Sequence, residues 1–102
     1  MTRQKPTPLP EAEVQQFVKS HPDWSTAKGP LTRTWELTTF PEAMRFVARI
    51  GELAEAADHH PDIDIRWRKV TLAFITHDAG NAITALDTKL AGEAELIARS
   101  MK

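Results

Sequence analysis

The hydrophobic period of this chain changes abruptly at Pro61, and that change dictates a helix packed on a sheet. Upstream, Phe40, Ala43, Met44, Val47, Ile50, Ala54 and Ala57 recur at helical spacing, while Arg45, Arg49 and Glu52 fall mostly off that stripe. Downstream, Ile63, Ile65 and Trp67 share one side of an extended chain, and Asp62, Asp64 and Arg66 share the other. The helix carries its own start signal. Thr39-Phe40-Pro41-Glu42 reads as a capping box, with Pro41 in the first turn where its missing N–H costs little. The stripe predicts a helix that ends near Asp58. Arg68-Lys69 lies at or near a turn. Val70, Leu72, Phe74 and Thr76 then alternate with Thr71, Ala73, Ile75 and His77. This second strand is apolar on both faces over much of its length, which places it centrally in a sheet.

The remaining segments extend the pattern. Pro10-Glu11 suits a helix start, and Val14, Phe17 and Val18 lie on one face of it until His21-Pro22 ends the run. A short strand, Asp23 to Ala27, and a turn at Lys28-Gly29-Pro30 are expected before a strand from Leu31 to Leu37. On that strand Leu31, Trp35 and Leu37 face one way, with Arg33 as the exception. Thr84-Ala85-Leu86-Asp87 repeats the capping-box pattern with Asp in place of Glu. It opens a stripe of Ile83, Leu86, Leu90, Ala94, Ile97 and Met101. The expected order is α-β-β-α-β-β-α. The expected fold is α+β: a four-stranded antiparallel sheet with three helices packed on one face. Residues 1–8, polar and Pro-rich, read as a flexible N-terminal segment, and residues 9–102 as a single domain.

Composition narrows the function classes. Thirteen basic side chains against fourteen acidic ones argue against a nucleic-acid surface. The absence of cysteine excludes disulfides, thiol catalysis and cysteine-based zinc sites. No apolar run approaches the roughly 20 residues that span a bilayer, so no membrane partner is expected and a cytoplasmic location is.

Chemistry concentrates in the histidines. Three of the four, His59, His60 and His77, fall within nineteen positions. A hairpin between them would bring His59-His60 and His77 to the same end. Imidazole ordinarily titrates at roughly pH 6.5, so such a cluster can both give and take protons near neutrality. Glu55 and His59 stand four residues apart and share a helix face, where a carboxylate could set an imidazole tautomer. Glu55 and Asp58 read equally well as a solvated helix end. His21, beside Pro22, reads as a turn residue. A three-histidine zinc site is an alternative, weakened because adjacent histidines rarely both ligate one ion. Trp67 reads as core or pocket wall, and Trp24 and Trp35 as packing.

The run Glu55-x-x-x-His59-His60-Pro61, five residues, Trp67, nine residues, His77 and then Asp87, with Thr76-His77-Asp78-Ala79-Gly80, resembles the signature of the pterin-4a-carbinolamine dehydratases. The resemblance covers almost the whole chain. It implies removal of water from a 4a-hydroxytetrahydropterin to give the quinonoid dihydropterin, with the pterin as substrate and neither cofactor nor metal required. It implies acid or base roles for His59 and His77 and substrate binding at His60, so that all three histidines form the catalytic set. Pro61, Thr76, Asp78 and Ala79 match positions that line the pterin pocket with the histidines. Glu55, Asp58, Trp67 and Asp87 are expected behind or around them. The resemblance further implies a homodimer or homotetramer and a functional link to an aromatic amino acid hydroxylase. Some family members act instead as interaction scaffolds, as dimerisation cofactors or assembly-factor-like proteins, which supplies the alternative reading.

Overall fold

The computed structural model describes residues 6–101. In chain order the elements are α1 (Glu11–Ser20), β1 (Leu31–Glu36), α2 (Phe40–Ala57), β2 (Asp62–Arg66), β3 (Lys69–Phe74), a single 3-10 turn (His77–Ala79) and α3 (Ala85–Ser100). The sheet is antiparallel with β3 in the centre, between β1 and β2. Its central strand is the one with two apolar faces. Val70, Leu72 and Phe74 are buried under the helices, while Thr71 and Ala73 are half-buried on the other face.

The sheet has three strands where four were expected. Asp23 to Ala27 makes only an isolated bridge, Ser25 to Thr32. Turns consume the rest of this segment: Trp24 N–H donates to His21 O (2.9 Å), Ala27 N–H to Ser25 Oγ (3.1 Å) and Gly29 N–H to Thr26 O (2.9 Å). These local bonds take the N–H groups of Trp24 and Ala27, and Ser25 alone pairs with β1. Trp24 still enters the core, and its indole N–H donates to Glu95 Oε1 (2.9 Å). Arg33, the polar exception on β1, is held there by Glu95 and lies 4.7 Å over the Trp35 ring.

Helix α2 begins as its capping residues dictate. Thr39 is extended, and its side chain accepts from Glu42 N–H (3.2 Å). The buried stripe is rotated from the expected one. Ala43, Phe46, Ile50 and Ala54 are buried, whereas Phe40 and Met44 stand on the surface. The reason is tertiary: Trp35 projects from β1 beneath this turn and meets the Phe46 ring edge-on at 5.1 Å. Helix α3 adds Leu90, Ala91, Ala94 and Ala98 to the same core; its small residues let it lie close to α2 and β1.

Of the segment expected to be flexible, residues 1–5 lie outside the described residues. Pro8 forms an isolated bridge with Thr84, and Leu9 N–H donates to Ile83 O (2.9 Å). Among the described residues no helix is long and apolar enough to cross a membrane.

Candidate active site

Three helix and strand ends meet at one edge of the sheet. Helix α2 stops with Asp58 in the left-handed region (φ 50°), where Asp58 N–H donates to Glu55 O (3.2 Å) and His59 N–H reaches back to Ala54 O (3.1 Å). This is the pairing of a Schellman cap. It turns the chain sharply, so His59 leaves the helix axis and β2 starts three residues later. The register pairs Asp62 with Ala73, so the His59-His60-Pro61 segment and the Thr76-His77 segment flank the same end of the hairpin.

His59 is the most enclosed of the three histidines, with its side chain 11% exposed. Its Nε2 lies 2.6 Å from Oδ1 of Asp87, a carboxylate with 0% exposure. The other oxygen of Asp87 accepts from the Thr76 hydroxyl (2.8 Å) and from Thr84 N–H (2.9 Å). Thr84 Oγ1 in turn lies 2.8 Å from Thr76 Oγ1 and accepts from Leu86 N–H (3.2 Å). Each group in this buried network has a partner, the condition under which a charged side chain is tolerated in a core. With Nε2–H donated to Asp87, the free nitrogen of His59 is Nδ1.

Asp87 therefore does two things. It completes the capping box of α3 and anchors His59, 28 positions earlier. The expected carboxylate partner of His59 was Glu55. The structure gives Glu55 to His60 instead, at 3.0 Å between Oε2 and Nε2, with both side chains largely in solvent. The cause is the Schellman turn: an i, i+4 pair needs both residues on the helix, and His59 has already left it. Asp58 is the left-handed cap itself.

His77 opens the 3-10 turn, which is closed at its base by a Thr76–Ala82 bridge. Its Nδ1 lies 2.6 Å from Asn81 Oδ1. With that amide oxygen accepting, Nδ1 carries the hydrogen and Nε2 is left with its lone pair. Asn81 and Thr84 are the contributors that the sequence reading did not single out as site residues. Asn81 follows His77 by one helical turn and adopts φ 59°, a conformation Asn tolerates. That four-residue spacing was the available signal.

Among the other expected site residues, Pro61 is half-buried immediately before β2, Asp78 is exposed and Ala79 is half-buried on the 3-10 turn. Thr76 is buried, and its hydroxyl is committed to Asp87 and Thr84. Trp67 does not join the cluster. It sits on the turn at the opposite end of β2, 69% exposed, with φ 58°. The six residue steps from Trp67 to Pro61 span about 20 Å of extended chain. The three histidines bind three different partners, Asp87, Glu55 and Asn81. Among the described residues no group of three or more His, Asp or Glu is arranged to hold a metal ion. A groove of about 620 Å³ lies between Asp23, Arg33, Asp64 and Thr71, and one of about 460 Å³ between Pro8, Pro10 and Leu86. Neither is lined by a histidine.

Residues 7–97 match the model of the pterin 4 alpha carbinolamine dehydratase family. The chain belongs to that family. A Chloroflexus aurantiacus protein, provisionally named a pterin-4-alpha-carbinolamine dehydratase, is 47% identical over 89 residues, covering 87% of this chain and 95% of the relative. A Roseiflexus protein with the same provisional name is 45% identical over 91 residues, covering 89% and 97%. A crystal structure described as a transcriptional coactivator/pterin dehydratase from Brucella melitensis superposes with a TM-score of 0.83 at 30% identity, over 90% of this chain and 99% of that one. The fold described above is thus shared with a solved structure over most of the chain.

Proposed function

We propose that the chain removes water from a 4a-hydroxytetrahydropterin to give the quinonoid dihydropterin, by general acid–base catalysis from its histidines. One observation carries this reading: His59 is bonded to a fully buried carboxylate at the sheet edge where His60 and His77 also stand. A surface histidine has no need of a buried, fully satisfied network behind it. A proton-transfer group does, because its ring must be held in one orientation and one tautomer.

The reaction breaks the C4a–O bond and removes the proton from the adjacent ring nitrogen. Hydroxide leaves poorly, so the departing oxygen must receive a proton as the bond breaks. The electron pair of the ring nitrogen forms the new C=N bond, and that nitrogen sheds its hydrogen. One imidazole can act as the acid and another as the base, each contributing about 10²–10⁴-fold. His59, through Nδ1, and His77, through Nε2, are the assigned pair. His60, on the exposed side, binds the pterin. Pro61, Asp78 and Ala79 supply the adjoining surface, and Thr76 acts through Asp87. Such an activity would follow an aromatic amino acid hydroxylase, which leaves this carbinolamine as its spent pterin.

The second reading is an interaction scaffold, favoured by the coactivator wording attached to the Brucella neighbour. Turnover of freshly generated carbinolamine separates the two. The dehydratase reading expects wild type to exceed the spontaneous rate and His60→Ala and His77→Ala to fall toward it. A wild type equal to the spontaneous rate, and indistinguishable from His60→Ala, leaves the scaffold. Either reading is served by self-association, as a homodimer or homotetramer, because a chain this small buries a limited core alone.

A further inference from the structure

The three histidines are held unequally. His59 is clamped by the buried Asp87, and His60 meets Glu55 where both side chains are in solvent. His77 is exposed, at the start of the 3-10 turn. An exposed ring changes rotamer in picoseconds to nanoseconds unless something holds it. Among the described residues, the group that holds the His77 ring is the Asn81 amide, with Oδ1 2.6 Å from Nδ1.

The loop places that oxygen. Ala79 N–H donates to Thr76 O (3.2 Å) and Gly80 N–H to His77 O (3.1 Å), which coils the chain tightly after His77. Gly80 (φ 72°) and Asn81 (φ 59°) are both left-handed, so the chain reverses within two residues. Thr76 N–H then donates to Ala82 O (2.9 Å), and Leu9 N–H to Ile83 O (2.9 Å), so the loop is pinned on its far side as well. Glycine would meet the backbone demand at position 81 without steric cost. Asparagine meets it and adds an amide, and the amide oxygen is spent on His77.

We propose that Asn81 is a positioning residue for the dehydration: its amide oxygen holds His77 in the Nδ1–H tautomer and keeps the Nε2 lone pair on the substrate side. This rests on the dehydratase reading of the histidines. An unconstrained histidine side chain prefers its hydrogen on Nε2. That form would turn a donor, not an acceptor, toward the pterin. Donation of Nδ1–H to the amide reverses the preference. Nε2 then takes the proton that the pterin ring nitrogen sheds. Its lone pair becomes the new N–H bond, and the pair of the broken N–H bond stays on the pterin nitrogen. The imidazolium so formed keeps Nδ1–H on Asn81, so the ring need not turn during the transfer. Asn81 does for the exposed histidine what Asp87 does for the enclosed one, without adding a charge. It acts through His77 and touches no reacting atom.

Asn81→Gly is the probe, because glycine adopts φ 59° freely and only the amide is lost. The variant should fold. Its kcat should fall about tenfold with KM little changed, the scale expected on losing a group that orients an imidazole. Asn81→Asp keeps an acceptor oxygen at the same reach and tolerates the left-handed backbone, so it should regain most of kcat. NMR of isotope-labelled histidine nitrogens at about pH 8, above the roughly 6.5 at which imidazole titrates, reads the tautomer independently of turnover. The His77 signals, identified by their loss in His77→Ala, should show Nδ1–H in the wild type and Nε2–H in Asn81→Gly. A kcat unchanged in Asn81→Gly, an Nε2–H His77 in the wild type, or an Asn81→Asp protein as slow as Asn81→Gly overturns the proposal and leaves the dehydratase reading standing. A wild type that does not accelerate dehydration overturns that reading, and the role of Asn81 with it.

Discussion

Replacing Thr76 by valine isolates the network behind His59. The two side chains have the same shape, so the core is neither emptied nor crowded, but the hydroxyl is gone. Asp87 then loses one of its three donors, the 2.8 Å contact to Oδ2, and the Thr84 hydroxyl loses its partner at 2.8 Å. Both groups are buried. A buried bond to a charged group, with a partner left unsatisfied, is worth about 2 kcal/mol. For a domain of this size that corresponds to a fall in Tm of about 10 °C. Asp87 should also hold His59 less firmly, lowering kcat about tenfold, equivalent to about 1.4 kcal/mol of transition-state stabilisation, with KM little changed. Thr76→Ser keeps the hydroxyl and should recover most of kcat. Thermal denaturation and steady-state dehydration kinetics on both variants measure this. A Thr76→Val protein that melts within about 2 °C of wild type and keeps its kcat would refute the idea that this hydroxyl supports the site.

Asp87→Ala should be more severe, because His59 Nε2, the Thr76 hydroxyl and Thr84 N–H lose their acceptor together; urea unfolding should show a loss of about 3 kcal/mol or more, and kcat should drop about a hundredfold. Glu55→Gln should change stability by less than about 0.5 kcal/mol, since its pair with His60 is solvated, and a loss rivalling that of Asp87→Ala would mean that Glu55 is the histidine anchor after all. Phe46→Ala should cost about 3–5 kcal/mol and Phe40→Ala under about 1 kcal/mol; equal losses in denaturant titrations would contradict the rotated stripe of α2.

The candidate site was legible in its parts and illegible in its wiring. Spacing alone put His59, His60 and His77 at one end of a hairpin, because two alternating runs joined by a short turn can only fold back. It could not tell that the carboxylate holding His59 comes from α3 rather than from α2. Glu55 sits at the helical spacing that sequence reasoning rewards. A single left-handed residue, Asp58, breaks that geometry, and an Asp in this conformation leaves little trace in composition. Asp87 looked like a cap, which it is. Its second bond spans 28 residues, and local pattern carries no information about such contacts.

What the sequence determined by itself was the alternation of helix and strand from α2 onward, the capped starts of α2 and α3, and the central position of β3. Each of these follows from periodicity and capping chemistry, which act over a few residues. Only the tertiary structure decided the rest. Trp35 beneath α2 turned Phe46 inward and Phe40 outward. Local turns around Trp24 took the Trp24 and Ala27 N–H groups and left an expected strand with a single bridge. Packing of α3 against β1 and α2 carried Asp87 to His59. For α2 and α3 the deciding contact joins residues far apart in the chain, where burial and hydrogen-bond satisfaction outweigh local preference.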